Sequence, residues 1–181
     1  MTKPMQTLTG EHDRIRSMLS CFEAQLDRFG RAERPDYEIL EGSISYCQEY
    51  LDQWHHPREE ALLDLLQRRA PTEAGGASGD LEDQHRGLAR TTGALVKVFE
   101  AVEHDAAYLR ETLVELGRTL LRDYRSHLDW EEANFFPVVM DNLLPEDWQE
   151  IAPHFAEGAD PLTQNPVDQR YRALFSAIAD L

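Results

Sequence analysis

The sequence predicts an all-α protein, an up-down-up-down antiparallel four-helix bundle followed by short additional C-terminal helices. Apolar residues recur at three- and four-residue spacing along four long segments, which is the period of an amphipathic helix. Runs rich in valine, isoleucine and threonine with strict alternation, which are typical of strands, do not occur. The connections between the four segments are mostly short, which favours antiparallel packing of neighbouring helices.

The first predicted helix runs from about Thr9 to Phe29. Thr7 or Thr9 can cap its start, because a side-chain hydroxyl can accept a hydrogen bond from a free amide of the first turn, and Gly30 ends it. Apolar side chains keep helical spacing along one face, and His12 lies on the same stripe. The sequence therefore predicts a histidine that faces the core.

The second predicted helix is long and runs from about Pro35 or Asp36 to Arg69. Its apolar face carries His55 among leucine and isoleucine side chains. Pro57 lies inside this helix, where it cannot donate a backbone hydrogen bond. The sequence therefore predicts a kink close to His55.

The rest of the chain continues the helical pattern. Glycines and small residues mark one clear loop, and Asp105 can cap the last long helix. The predicted segments are a loop over 71–79, a third helix from about Asp80 to Glu103, a fourth from about Ala106 to Met140, a short helix that begins at Pro145 and a last one from about Val167 to Asp180. We predict a bundle domain over residues 1–155 and a C-terminal extension over 156–181 that packs on the bundle or on the second subunit of a homodimer.

Charge and composition argue against several classes of function. The chain has 181 residues and a net charge of −16, which would repel nucleic acids and anionic membranes. We therefore predict neither a nucleic-acid partner nor a membrane partner. No apolar run reaches the roughly 20 residues of a membrane helix, and no secretory signal pattern occurs, which predicts a cytoplasmic protein. Cys21 and Cys47 match no metal or redox motif, so we expect both in the core.

One motif occurs twice along the chain. Aligning the two pairs of adjacent glutamates superposes His55 on His127 and Glu59 on Glu131, so each half contains one His-x-x-x-Glu sequence. Four residues advance about 400° around a helix, which places the histidine and the carboxylate on one face, one turn apart. Such a pair can bind one metal ion, or its carboxylate can reach a second ion.

A single histidine on the preceding helix comes before each motif, His12 in the first half and His85 in the second. One His-x-x-x-Glu is common, but this repeated order on four helices indicates one shared centre, because buried polar groups need partners. The predicted metal ligands are His12, His55, Glu59, His85, His127 and Glu131. This set suits two iron ions with an oxide or hydroxide bridge, and incomplete coordination would leave room for a small ligand.

The helix-2 pair has an alternative. His56 and Glu60 have the same spacing as His55 and Glu59. The face of His56 also carries acidic and amide side chains, whereas the face of His55 is apolar, and the repeat also selects His55. We therefore favour His55 with Glu59.

Three further side chains have no assigned role in the motif. Tyr124 lies one turn before His127, where it would be either a core residue or a metal ligand or hydrogen-bond donor at the irons. His104 and His154 lie near predicted helix ends and outside the repeat. We expect both of these histidines to face solvent.

These motifs resemble those of the hemerythrin-like, or HHE cation-binding, domain family. The resemblance covers roughly residues 7–153. The matching stretches are Glu11-His-Asp13, His55-His-Pro-Arg-Glu-Glu60, Asp83-Gln-His-Arg86 and His127-Leu-Asp-Trp-Glu-Glu-Ala-Asn-Phe-Phe-Pro137. The resemblance implies a hemerythrin-like bundle with a di-iron site, in which the four histidines are terminal ligands and the two glutamates bridge the irons. Family members bind dioxygen, sense oxygen or iron, or react with nitric oxide or peroxide.

The chain departs from the oxygen carriers of this family, which have two histidines four residues apart on the third helix and an aspartate bridge on the fourth. Here Ala89 stands four residues after His85, and the fourth-helix carboxylate is Glu131. These departures argue against simple oxygen storage. The leading prediction is a non-heme di-iron protein that binds or senses dioxygen, nitric oxide or peroxide. The alternatives are a di-iron enzyme with catalase-like or oxidase activity and an iron-regulated interaction module.

Overall fold

The computed structural model describes residues 1–76, 78–102 and 109–181. This part of the chain is helical without strands, as predicted, and none of its helices is long and apolar enough to cross a membrane. Its helical segments are α1 (Lys3–Gly30), α2 (Tyr37–Ser45), a first π segment (Tyr46–His55), α3 (His56–Arg69), α4 (Pro71–Ala74), α5 (Ser78–Val102), α6 (Leu109–Trp130), a second π segment (Glu131–Phe135), α7 (Phe136–Asn142), α8 (Pro145–Ile151) and α9 (Arg172–Ala179), with 3-10 turns at Ala152–Phe155, Pro161–Thr163 and Gln169–Tyr171.

Helix α1 begins six residues before the predicted start at Thr9. Pro4 occupies its first turn, where a missing amide costs nothing, and Met5 and Leu8 are buried. The hydroxyl of Thr9 returns to the carbonyl of Met5 at 2.8 Å, which is a bond of the helix interior and not of a cap. The predicted cap was therefore wrong, because burial of the first turn extends the helix.

Helix α2 begins as predicted. The side chain of Asp36 accepts hydrogen bonds from the amides of Glu38 at 3.0 Å and Ile39 at 3.4 Å. The predicted loop over 71–79 is shorter in the structure, since Pro71–Ala74 forms a helical turn and α5 begins at Ser78. Four predicted features lie outside the described residues. They are the end of the third helix at Glu103, the start of the fourth at Ala106, the cap Asp105 and the solvent-facing His104.

Each π segment ends two residues before a proline. Pro57 stands in the first turn of α3, after the first π segment, and Pro137 stands in the first turn of α7, after the second. A π turn shifts the hydrogen-bond register just before the position where proline has no amide to donate. The disturbance predicted at Pro57 is thus a change of register, and it recurs in the second half of the chain.

The buried apolar side chains form two clusters. Cluster A contains Ile15 and most of the core, and cluster B contains Met5, Leu62 and Phe135. The structure has four long helical stretches, which are α1, α2 with the first π segment and α3, α5, and α6 with the second π segment and α7. Along each stretch the chain passes from one cluster to the other, and the predicted metal ligands lie at the crossing. The residues on either side of the crossing are Leu8 and Ile15, Leu51 and Leu62, Leu81 and Leu88, and Leu128 and Phe135, and His127 directly precedes Leu128.

The last helix packs against the first two. Helix α9 contacts α1 and α2, and its Leu174 is fully buried against Gly42. A Cβ atom at Gly42 would lie 3.3 Å from the carbonyl oxygen of Arg170, so a glycine allows this close approach. Both cysteines, Cys21 and Cys47, are buried and unpaired, as predicted for core residues.

Candidate metal centre

All six predicted ligands lie in the interior, where the chain passes between clusters A and B. None of them exposes more than 4% of its surface. They come from four stretches of helix that are far apart in sequence, and a group of such residues could not stay buried without mutual pairing or a bound cation. The residues are His12, His55, Glu59, His85, His127 and Glu131.

Glu59 lies between two groups of histidines. Its Oε1 atom is 3.4 Å from Nε2 of His12 and 3.3 Å from Nε2 of His55. Its Oε2 atom is 3.4 Å from Nε2 of His85. Each oxygen of this carboxylate therefore faces a different set of imidazoles.

Glu131 has the same arrangement from the opposite helix. Its Oε2 atom is 3.4 Å from Nε2 of His12, whereas its Oε1 atom is 3.4 Å from Nε2 of His127 and 3.7 Å from Nε2 of His85. Together with Glu59, it presents one oxygen to the His12 side and one oxygen to the His85 side. Two carboxylates placed in this way can each be shared by two cations.

His56 belongs to the same centre. Only 3% of its surface is exposed, and its ring stacks on the ring of His85 with centroids 4.2 Å apart. One ligand atom each from His56, His85 and His127 lies within 4.8 Å of the others, as do those from His12, His55 and Glu59. The sequence offered His55 and His56 as alternative ligands, and the structure places both at the centre, in different groups of histidines.

The Nδ1 atoms of these histidines point away from the carboxylates and toward an outer ring of oxygen atoms. A ligand imidazole of this kind donates its Nδ1 proton outward, which leaves Nε2 free to bind a metal. The outer hydrogen-bonded pairs are His12 with Glu132 at 2.9 Å, His55 with Glu11 at 2.7 Å, His85 with Glu60 at 3.0 Å and His127 with Gln84 at 3.1 Å. Nδ1 of His56 faces Oδ1 of Asp52 at 3.4 Å without a hydrogen bond.

Several inward-facing atoms have no hydrogen-bond partner among the described residues. Buried polar atoms without a partner are rare and costly, so a group of them in one place indicates a missing positive charge. The donor set of imidazole nitrogens and carboxylate oxygens fits borderline metal cations. These atoms are Nε2 of His55, His56, His85 and His127, Oε2 of Glu59 and both carboxylate oxygens of Glu131.

Protons offset the buried carboxylates when no cation does so. Burial lowers the pKa of His12, but the adjacent carboxylates of Glu131 and Glu59 outweigh this effect and raise the pKa to about 10. The same carboxylates raise the pKa of His85 to about 11. Burial and the neighbouring imidazoles hold the pKa of His56 well below its usual value. Without metal, protonation is therefore favoured at His12 and His85 and disfavoured at His56.

Metal loading at pH 7 is expected to release about two protons per centre, one from His12 and one from His85. A proton and a metal ion compete for the same nitrogen, and both pKa values, about 10 and about 11, lie above pH 7. The apparent metal affinity should accordingly rise as the pH increases toward 10. Calorimetric titration in buffers of different ionisation enthalpy measures the proton count. Titration without proton release would show that both imidazoles are neutral before metal binds.

The remaining candidates are Tyr124 and His154. Tyr124 is fully buried, with its ring parallel to that of His56 at 6.2 Å and its hydroxyl beside Cys47 and Thr92. This position matches the interpretation of Tyr124 as a core residue. The side chain of His154 is exposed, as predicted.

Comparison with known families agrees with this geometry. The family model of the hemerythrin HHE cation-binding domain matches residues 3–139, which is most of the chain. The chain belongs to the hemerythrin HHE cation-binding domain family. Neither the curated proteins nor the solved structures include a significant match. The matched region contains all of these histidines and glutamates, which could hold a metal ion.

Some residues of this HHE domain were not selected from the sequence. Each His-x-x-x-Glu motif is followed by a second glutamate, Glu60 or Glu132, that contacts Nδ1 of a histidine on another helix. The repetition of the adjacent glutamates was the sequence signal that could have identified these two residues. Glu11 directly precedes His12 but contacts His55, and Arg58 contacts Glu11 in turn. These two contacts join residues more than 40 positions apart, so no local spacing could have indicated them.

Proposed function

We propose that this HHE domain is a non-heme di-iron protein that binds or senses a small ligand such as dioxygen, nitric oxide or peroxide. The observation that carries the proposal is the position of Glu59 and Glu131, each with one oxygen toward each group of histidines. When two irons are bound there, they supply redox-active centres that can hold a small ligand. Glu59 and Glu131 would bridge the irons.

The number of donor atoms supports a ligand position on one side only. His12 and His55 would hold one iron, and His56, His85 and His127 would hold the other. Each iron would also receive one oxygen from Glu59 and one from Glu131, and an oxide or hydroxide would complete the pair. With about six positions per iron, the three-histidine side would be complete, and the His12–His55 side would retain one position for an exogenous ligand.

Iron suits this donor set better than zinc. Structural zinc usually closes a tetrahedral site of four ligands, often with cysteine. Five imidazoles and two carboxylates exceed that requirement, and neither cysteine of the chain is one of them.

The path of the chain supports the up-down-up-down topology, which we propose for the four long helical stretches. The first stretch runs from cluster B to cluster A, the second from A to B, the third from B to A and the fourth from A to B. Alternating directions place one or more inward side chains from every stretch at the same level. We propose that residues 1–155 form this bundle and that residues 156–181 are its extension.

Metal analysis and optical spectroscopy test the proposal. Protein from iron-supplemented cells should contain about two irons per chain and absorb in the near ultraviolet and visible through an oxide bridge, and azide should shift that band. A zinc-loaded sample is the matched control, because zinc has no such charge-transfer band. A spectrum that ignores azide, nitric oxide, dioxygen and peroxide would contradict the ligand-binding function. Peroxide consumption by the same samples would favour the catalase-like alternative.

A further inference from the structure

A buried hydrogen-bond relay begins at His55. Nδ1 of His55 lies 2.7 Å from Oε2 of Glu11, and the other carboxylate oxygen of Glu11 accepts from the hydroxyl of Tyr50 at 2.7 Å. Nη1 of Arg58 donates to the same Glu11 oxygen at 2.9 Å and to the Tyr50 hydroxyl at 3.0 Å. All four side chains are at least 95% buried. The relay therefore connects a candidate metal ligand to a buried guanidinium group.

Arg58 carries the relay to residues 152–162, which we call the C-terminal segment. Its guanidinium group lies between two aromatic rings, 5.9 Å from the centroid of Tyr50 and 5.5 Å from that of Phe155. Its remaining donors bind only backbone carbonyls of the C-terminal segment. These bonds are Nε to His154 at 3.2 Å, and Nη2 to Glu157 at 2.6 Å and to Gly158 at 2.7 Å.

Two further contacts hold the C-terminal segment in place. The buried side chain of Asp160 accepts from Nε of Arg14 at 2.5 Å and from the hydroxyl of Tyr46 at 3.0 Å. Gly158 has φ of +65°, and a Cβ atom there would lie 2.1 Å from the ring of Trp54. The backbone of the segment thus fits closely against the bundle at Gly158, directly beside its bonds to Arg58.

We propose that Arg58 is a positioning residue that couples the docking of the C-terminal segment to metal occupancy of the His12–His55 side of the centre. The proposal rests on the di-iron function. A metal ion on Nε2 of His55 confines the imidazole proton to Nδ1, where it donates to Glu11. Glu11 then stays in the position that Arg58 requires, and Arg58 holds the three carbonyls. Without metal, Nε2 of His55 has no hydrogen-bond partner among the described residues, and this alignment is no longer enforced from that side of the ring.

Coupling of this kind must act in both directions. If metal binding stabilises the docked segment, the docked segment raises metal affinity by the same factor. A change at Gly158 can therefore test the proposal from outside the metal site, since Gly158 contacts neither a histidine nor a carboxylate of the centre. The steric conflict with Trp54 and the strain of a positive φ should displace the segment in Gly158→Ala.

Hydrogen exchange on the full chain, metal-free and loaded with ferrous iron under anaerobic conditions, tests the coupling. Iron should slow exchange of the C-terminal segment at least about fivefold. In Gly158→Ala this protection should largely disappear, and iron affinity should fall by a similar factor. Gly93→Ala is the matched control, because a Cβ atom at Gly93 contacts nothing within 4 Å. Arg58→Lys should keep the charge opposite Glu11 but lose most of the coupling, since lysine cannot reach all three carbonyls.

The outcomes separate this proposal from the di-iron function. Iron that binds without changing exchange of the C-terminal segment would overturn the coupling and leave the di-iron function standing. Failure to bind iron would overturn the function itself. Asp160→Asn releases the same segment through Arg14 and Tyr46, and it provides a second test if Gly158→Ala does not fold. Full iron-induced protection in a folded Gly158→Ala or Asp160→Asn protein would also overturn the coupling.

Discussion

Glu59→Gln is expected to abolish paired metal loading and to reduce iron from about two per chain to one or fewer, with at least about a 100-fold loss of affinity. Glu59 is fully buried, and its two oxygens face His12 and His55 on one side and His85 on the other. An amide keeps the shape of the side chain but removes the negative charge and one of the two metal-binding oxygens. Both irons of the proposed pair would therefore lose a ligand, and Glu59 would no longer bridge them.

The metal-free Glu59→Gln protein should still fold. The histidines around Glu59 can release the protons that its carboxylate retained, so no isolated charge remains in the core. Iron quantitation after loading, together with circular dichroism of the metal-free protein, measures the two effects separately. Glu41→Gln is the matched control, because Glu41 is an exposed glutamate on the same long helical stretch. Paired loading of Glu59→Gln at wild-type affinity would exclude Glu59 as a bridge.

His56→Leu is expected to change metal binding and stability in opposite directions. The ring is buried, and its Nε2 atom has no hydrogen-bond partner among the described residues, which costs the metal-free protein free energy. An apolar side chain removes this cost and should raise the free energy of unfolding of the metal-free protein by about 1 kcal/mol. The same change deprives the iron held by His85 and His127 of its third imidazole. Iron content should fall toward one per chain.

Chemical denaturation of the metal-free proteins and iron titration measure these two effects. His154→Leu is the control, because it also removes an imidazole but at an exposed position. His55→Leu should remove iron from the other side of the centre, so the two neighbouring variants should differ in azide response. If His56→Leu still binds two irons and its azide spectrum is unchanged, His56 is not a ligand and the centre consists of the six residues of the sequence motif.

The sequence alone was sufficient to predict the helices and the six repeated residues. The helical period is a local property, and so is the four-residue spacing of His55 with Glu59 and of His127 with Glu131. Such a spacing places two residues on one face of a helix whatever the rest of the fold is. The all-α class and the family follow from the same patterns.

Burial in the tertiary structure decided the features that the sequence left open or gave wrongly. The first turn of α1 is helical because Met5 and Leu8 reach cluster B, a contact that the threonine pattern did not indicate. His55 and His56 were treated as alternatives because neighbours on a helix point about 100° apart. Both can face one centre, because that centre has two sides and the helix changes from π to α register between them.

The sequence by itself thus determined six candidate metal ligands, because ligand type and helical spacing are properties of short stretches of chain. The tertiary structure alone decided how these residues are divided between two sides and which groups support them. Glu11 reaches His55 across 44 positions, and Arg58 reaches Gly158 across 100. Such contacts depend on how whole helices pack, and the same local sequence would permit many other partners.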